Sequence, residues 1–506
     1  MLYHRIRTRY APSPTGFQHI GGIRTALYCY LFAQKHKGEL VLRIEDTDQK
    51  RYVEGAEQYI IDACNWLGIT FNESPFVGGQ HAPYRQSERR ERYQTYAQQL
   101  IDTGFAYYAF DTPEELDAVR KIAEDKGAAF LYNAQTRHQM RNSLSLAKEE
   151  TQRLLNDGVD YTIRFKIPEN RTVSFYDHIR GEVSFDSEQL DDKVLYKADG
   201  WPTYHLANVV DDYLMQITHV IRGEEWLSST PLHVLLYEAF AWDNVMPQFA
   251  HLPLLLNPGG KGKLSKRQAD KLGFPVFPLA WYNTETGENS NGFKEMGFFP
   301  DAFVNFLALL GWNPGTEQEI FSMDELIEAF DLDRVHKAGA KFDFEKAIWF
   351  NQQYLRQKCE DELVQLLKKD ARANNFSEQK LRLLVKMYKE RVSFLHEIWT
   401  HAVNIVGDIQ QYDEKMIAKR WQKDFVPIFE KLAQLFNHLQ EFSSGNIDTC
   451  LQNFIHDNEL KTGNVLLPLR LMLTGESSGP HIPDIAAFLG KAEVVERMES
   501  AMRNWG

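Results

Sequence analysis

A chain of 506 residues, 43% hydrophobic and 25% charged, has the composition of a globular protein at a length that calls for several domains. Four scattered cysteines without a C-x-x-C pair argue against a disulfide framework and a zinc site, and no apolar run approaches the ~18 residues of a membrane span. With no signal sequence ahead of the first strand, a soluble cytoplasmic protein is expected, and a net charge of −13 leaves any nucleic-acid contact to local basic clusters.

Ile6, Thr8 and Tyr10 alternate with polar residues and predict a half-buried strand. Ile23, Ala26, Leu27, Tyr30 and Leu31 fall at helical spacing before Gly38, and Leu40 to Ile44 reads as a second strand. The first forty-odd residues are therefore a β-α-β unit whose first turn is Ala11-Pro12-Ser13-Pro14-Thr15-Gly16-Phe17-Gln18-His19-Ile20-Gly21-Gly22. That turn is neither a P-loop nor a G-x-G-x-x-G dinucleotide turn. Gly16 and Gly21 let the backbone approach a ligand, and His19 stands at the helix N-terminus, where free N–H groups and the dipole favour a phosphate.

From Val53 to about Leu100 the pattern is helical, with Gly68 as a stop, and Thr112-Pro113-Glu114-Glu115 opens another helix with a capping box. Between about 103 and 200 the texture changes to an alternating strand at Tyr161 to Ile167 and strand-like runs around Val183 and Val194, as expected of an α+β insertion. The interrupted fold resumes near Trp201, with a strand at Ile217 to Ile221 and a helix capped by Thr230-Pro231. Arg9, Glu45 and Arg222 then fall at strand ends facing one crevice, the ligand edge of an α/β sheet. Two arginines and a carboxylate suit a substrate carrying an extra carboxylate and an ammonium group.

The second motif is Lys263-Leu264-Ser265-Lys266-Arg267, preceded by Pro258-Gly259-Gly260-Lys261-Gly262, a lysine arm able to neutralise a polyphosphate leaving group. Two basic clusters stand out, Arg85, Arg89, Arg90 and Arg92, and Lys261, Lys263, Lys266, Arg267 and Lys271. Phe274 to Pro300 is rich in aromatics, glycine and asparagine. Beyond Asp301 the chain reads as helical, with a capping box at Ser322 and a long amphipathic run from Gln379 to Val406, and without strand signals through the C-terminal third.

His19-Ile20-Gly21-Gly22 and Lys263-Leu264-Ser265-Lys266-Arg267 resemble the His-Ile-Gly-His and Lys-Met-Ser-Lys-Ser signatures of class I aminoacyl-tRNA synthetases, with Gly22 departing from the second histidine. The wording of Ala11 to Gly16, Arg43 to Asp48, Tyr84 to Arg89 and Tyr204 to Asp212 is similar to the bacterial glutamyl-tRNA synthetase family along nearly the whole chain.

The resemblance implies an α/β Rossmann-like catalytic domain with a parallel sheet and an α+β insertion, followed by an all-α anticodon-binding region. It divides the chain into 1–102 and 201–257 as the catalytic halves, 103–200 as the insert holding the tRNA acceptor end, 258–336 with the lysine signature and a stem-contact domain, and 337–506 as the anticodon domain. It implies Arg9, Ser13, Glu45, Tyr204, Asn208 and Arg222 for glutamate, and Gly16, His19, Gly21, Glu225, Leu255, Lys263, Ser265 and Lys266 for ATP, with His19 and Lys266 as catalytic contacts. Arg356 matches a position that reads the last anticodon base. The implied partners are tRNA(Glu), L-glutamate and ATP with Mg2+, with no zinc and no membrane, and the chain is expected to be a monomer.

A small nucleotidyltransferase and a paralogue that glutamylates a tRNA base share the histidine turn but have no use for the helical third. A non-enzymatic tRNA binder has no reason to keep His19, Lys266 and the crevice charges together, and a glutaminyl relative has a β-barrel at its C-terminus.

Overall fold

The computed structural model describes residues 5–282 and 287–505. It divides into two compact units, Met1–Met296 with Pro300–Ala347, and Gly297–Phe299 with Ile348–Gly506.

The first unit runs β1 (Arg7–Tyr10), α1 (Ile20–Lys35), β2 (Glu39–Leu42), α2 (Ala56–Trp66), α3 (Arg90–Asp102), β3 (Ala106–Ala109), α4 (Pro113–Asp125) and α5 (Lys148–Asn156). It continues with β4 (Thr162–Phe165), β5 (Thr172–Asp177), β6 (Gly181–Asp186), β7 (Val194–Tyr196), α6 (Tyr204–Leu214), β8 (His219–Gly223), α7 (Thr230–Ala239), β9 (Gln248–Leu252) and β10 (Leu255–Leu256). The lysine arm leads into α8 (Lys266–Leu272), followed by a short antiparallel pair, β11 (Trp281–Tyr282) and β12 (Asn289–Ser290).

The main sheet has the order β2-β1-β8-β9-β5-β6, parallel except for the last pair. β1 is buried along its whole length, not half-buried, because neighbours pair with both its edges and α1 covers it. Strands β5 and β6, from within the 103–200 stretch, extend this sheet, and only β3, β4 and β7 form a separate three-stranded sheet. The predicted capping boxes are present, at Thr112 with Glu115 and at Ser322 with Glu325.

Two long helical readings are interrupted. Between α2 and α3, Gly68 takes a left-handed turn and Glu73 draws in Arg7, His81 and Tyr84, so residues 67–85 form a buttress against β2. Thr230 is not the cap of α7; Ser229 holds that place and the Thr230 hydroxyl is turned inward. A two-residue strand, Ala340–Lys341, pairs with β10 where no strand was expected.

The second unit is described by helices. The run from Gln379 breaks after the helix Glu378–Tyr388, because the Glu397 carboxylate accepts from the Ser393 and Phe394 amides and Asn351 donates to the Ser393 carbonyl. The chain then continues as Glu397–His401 and Val403–Val406. Four of the longer helices, Val426–His438, Ser444–Asp457, Thr462–Thr474 and Lys491–Trp505, follow with leucines, phenylalanines and methionines inward.

Candidate active site

The carboxyl ends of β1, β8 and β9 open into a cavity of about 510 Å³. It is lined by Arg9, Ser13, His19, Gly21, Glu45, Tyr204, Asn208, Arg222, Glu225, Leu255 and Lys263, all singled out from the sequence. Gly16, Ser265 and Lys266 are not among its lining.

His19 is the N-cap of α1, its Nδ1 accepting from the Gly21 amide at 3.2 Å. In the neutral ring this leaves the proton on Nε2, which is buried and has no partner among the described residues. Burial and the nearby Lys263 ammonium pull the imidazole down to about 4, so it is a neutral donor at pH 7. The first-turn amides are not free, contrary to expectation: Ile20 donates to Val276 O, Gly21 to the His19 ring, and Gly22 and Ile23 to His19 O. The helix dipole remains, with no acidic residue in the first turn, and the donor left without a partner there among the described residues is Nε2–H. Gly22 lies close against the end of the Gln18 side chain. A Cβ on it would meet Gln18 Oε1 at 2.5 Å, and that side chain, held by the Tyr10 hydroxyl at 3.0 Å, lines the cavity where it was not foreseen.

At the opposite wall, four buried ions form a chain. Arg9 Nε donates to Asp212 Oδ1 at 3.0 Å, Arg43 bridges Asp212 (2.7 Å) and Glu45 (3.0 Å), and Asn208 donates to Glu45 Oε1 at 3.2 Å. Burial pushes the Glu45 carboxyl up despite Arg43 and Arg9. It pushes on Asp212 as well, but there the two guanidinium groups prevail and hold the carboxyl below its usual range. Because Glu45 uses Oε1 for both contacts, its other oxygen is available to an ammonium group. Arg43 and Asp212 were not foreseen as site residues. Arg43 lies two places before Glu45, just past the end of β2, and Asp212 lies four after Asn208 on one face of α6.

Arg222 is placed differently. Its Nε donates to His251 Nε2 (3.0 Å), Nη1 to the Tyr204 hydroxyl (2.9 Å), and Nη2 to the Thr230 hydroxyl (2.9 Å), with His233 Nδ1 at 3.3 Å from Nη1. Burial pulls His251 down to about 4 and His233 well below the usual range, so these partners are neutral. Among the described residues no carboxylate pairs with Arg222, which is 5% exposed, and a buried cation of this kind is a ready anion site.

The lysine arm is a built hairpin. Leu264 donates to Leu255 O at 2.8 Å, and the Asn257 amide contacts the carbonyls of Lys261, Gly262 and Lys263 at 3.1–3.2 Å. Lys263 reaches the cavity, 3.6 Å from Glu225. Lys266 does not. Its ammonium pairs with Glu288 and lies 5.3 Å from the Trp281 ring centroid and 5.9 Å from that of Phe277, held by a carboxylate and two aromatic faces. Of the stretch between Phe274 and Pro300, residues 283–286 lie outside the described residues.

The first basic cluster is largely structural. Arg89 is buried against Asp211, Arg85 pairs with Glu57 and Glu88, and Arg90 donates to Gly200 O while covering the Trp201 ring. In the second unit Arg356 closes its helix and pairs with Glu390 at 3.1 Å.

Residues 5–349 match the family described as tRNA synthetases class I (E and Q), catalytic domain, and residues 357–502 match an anticodon binding domain. The chain is 53% identical over 507 residues to the glutamate–tRNA ligase of Bacteroides fragilis, covering 99% of each. It is 53% identical over 509 residues to that of Porphyromonas gingivalis, covering 100% of each. The crystal structure of a glutamate tRNA ligase from Elizabethkingia meningosepticum, in complex with its amino acid, is similar with a TM-score of 0.95 at 48% identity, covering 99% of this chain and 100% of that one.

Proposed function

The chain belongs to the class I tRNA synthetases for glutamate and glutamine and is a glutamate–tRNA ligase, and on that premise we propose how its residues divide the work. Arg222 and Arg9 take the side-chain carboxylate of L-glutamate, with Tyr204 and Ser13 beside it. Glu45, braced by Arg43 and Asn208, takes the ammonium. The free α-carboxylate attacks the α-phosphorus of ATP in line, forming the mixed anhydride and releasing pyrophosphate. Positioning and charge neutralisation carry such a step, since no side chain needs to bond covalently.

His19 donates through Nε2–H to a phosphate oxygen, and Lys263 neutralises charge from the arm. Glu225 and Leu255 flank the adenosine, while Gly16 and Gly21 shape the turn. Ser265 and Lys266 join once the arm closes. A terminal ribose hydroxyl of tRNA(Glu) then attacks the glutamyl carbonyl and AMP leaves. Among the described residues no group of three or more His, Cys, Asp or Glu side chains could ligate a metal, so magnesium is best accounted for as entering on the nucleotide phosphates. The same reading assigns the acceptor end to 103–200 and contacts to the tRNA stem to 258–336. It gives the anticodon to 337–506 with Arg356, and makes the enzyme a cytoplasmic monomer. No helix among the described residues is long and apolar enough to cross a membrane.

The observation that carries the reading is one cavity holding a braced Glu45 together with an Arg222 that has no carboxylate partner and a His19 Nε2–H that has no acceptor among the described residues. ATP–pyrophosphate exchange, with and without tRNA, tests it. Exchange with glutamate but not glutamine is expected, falling about 10²- to 10³-fold in His19→Ala, the scale for losing one transition-state donor, and strongly in Lys266→Ala. No exchange even with tRNA present would remove the assignment.

A further inference from the structure

Arg222 can select a carboxylate only if its guanidinium stays charged, unpaired and fixed in plane, and the plane is fixed from Nε by His251. His251 is in turn held by Asp177, the last residue of β5. Asp177 Oδ2 accepts from the His251 amide at 3.0 Å and lies 2.6 Å from Nδ1, and Oδ1 accepts from the amides of Ile179 and Arg180 at 2.9 and 2.8 Å. Both Asp177 and His251 have zero exposed side-chain surface.

An ionised carboxylate only accepts, so it fixes the imidazole proton on Nδ1. Nε2 then carries the lone pair that receives Arg222 Nε–H and faces the Thr230 hydroxyl at 3.1 Å. With the other tautomer, Nε2–H would oppose Nε–H of Arg222. Were a carboxylate in the place of His251, it would neutralise the guanidinium and leave nothing for the ligand. A neutral ring, oriented from behind by an anion that never touches Arg222, avoids both outcomes.

We propose that Asp177 is a positioning residue for glutamate, setting the tautomer of His251 and through it the plane and availability of Arg222. The strand that supplies it, β5, comes from the stretch between the two halves of the nucleotide-binding fold, and joins the sheet by pairing Asp177 with Phe249 of β9. The amino-acid subsite thus depends on a segment that reading Arg9, Glu45 and Arg222 alone leaves out. The inference rests on the assignment of Arg222 to glutamate.

Asp177→Asn tests it. Asparagine keeps the two turn contacts through Oδ1 but presents an amide donor to Nδ1, forcing the wrong tautomer, and to the amide of residue 251, a backbone loss that the His251→Gln background shares and so isolates. KM for glutamate should rise about tenfold or more, with kcat at saturation and KM for ATP within about twofold. His251→Gln, which retains a neutral acceptor for Arg222, should cost less, and adding Asp177→Asn to it should change KM no further. An unchanged KM in Asp177→Asn, or an equal additional rise in the His251→Gln background, overturns the proposal.

Arg222→Lys separates it from its premise. If that variant leaves KM for glutamate unchanged, the assignment of Arg222 itself is lost; if it raises KM while Asp177→Asn does not, only the positioning role falls. Should Asp177→Asn fail to fold, nitrogen-15 NMR of the wild-type imidazoles decides. A proton on His251 Nδ1 is expected, and one on Nε2 overturns the proposal.

Discussion

Around the cavity the first unit is packed with charge: Arg9, Arg43, Glu45, Arg89, Asp211, Asp212 and Arg222 are all buried, most bonded to one another. In the second unit, among the described residues, the buried polar side chains are Asn351, Asn404, Thr474, Asp484 and Arg497, set among leucine, isoleucine and phenylalanine. Arg497 there serves mainly the backbone, donating to the carbonyls of Asn404, Leu473 and Gly407 besides its pair with Glu493. The difference follows from what each has to recognise. A small charged substrate demands a pocket whose donors and acceptors are fixed before it arrives, so the ions must be inside and must hold one another. Helices that meet a macromolecule on their outer surface can fill their interior with hydrocarbon.

Breaking the comparison most severely is Arg43→Met. It strands Asp212 and Glu45 without their shared cation, and about 3–5 kcal/mol of stability should be lost on denaturation, together with glutamate-dependent exchange. Phe436→Ala, at a fully buried position of the second unit, should cost about 3–4 kcal/mol by cavity formation alone. A loss in Arg43→Met much smaller than in Phe436→Ala would mean that the ion chain does not hold the first unit.

Acid sharpens the contrast. His19, His205, His219 and His251 are held at about 4 against an ordinary 6.5, burial being the first cause in each. The unfolded chain therefore takes up protons that the folded chain refuses, and the first unit should lose stability as pH falls from about 6.5 toward 4 and regain it above. In the second unit the shifted carboxyls, Asp370, Glu378 and Asp484, are all lowered, and Asp484 is the most buried of them. Burial pushes it up, but Ser444 and Lys386 prevail and hold it below 3.8, so its contribution should persist until pH falls beneath that value. Calorimetry between pH 4.5 and 8 should move the transition of the first unit, identified by its response to glutamate and ATP. The smallest effect belongs to Arg356→Ala, whose exposed pair with Glu390 should be worth less than about 1 kcal/mol, leaving a change in KM for tRNA as its signature.

What could be read from the sequence was local. His19 is legible because a strand, a proline-stiffened turn and a helix start converge on it within a few residues. Arg9, Glu45 and Arg222 are legible because strand ends are. Asp212 shares the helix face of Asn208, but its pairing with Arg9 and that of His251 with Asp177 join residues far apart in the chain, and periodicity carries no trace of such pairings. The same blindness joined Gln379 to Val406 into one helix, where Glu397 turns back on the Ser393 and Phe394 amides without glycine or proline to announce it. Lys266 was placed by its motif, and the structure puts it under Glu288, a residue the motif does not contain.

Trp281 lies where both signatures meet. One face stacks on Phe17 of the histidine turn, with centroids 3.9 Å apart and planes at 17°, and the Lys266 ammonium sits 5.3 Å from its ring. An indole beside a cation and a stacked ring emits differently from one that has lost the cation. If Lys266 moves onto ATP as proposed, that cation leaves the ring, and the indole becomes a fluorescent reporter of the step. Stopped-flow emission should record the motion in real time, with Trp281→Phe as the silent control.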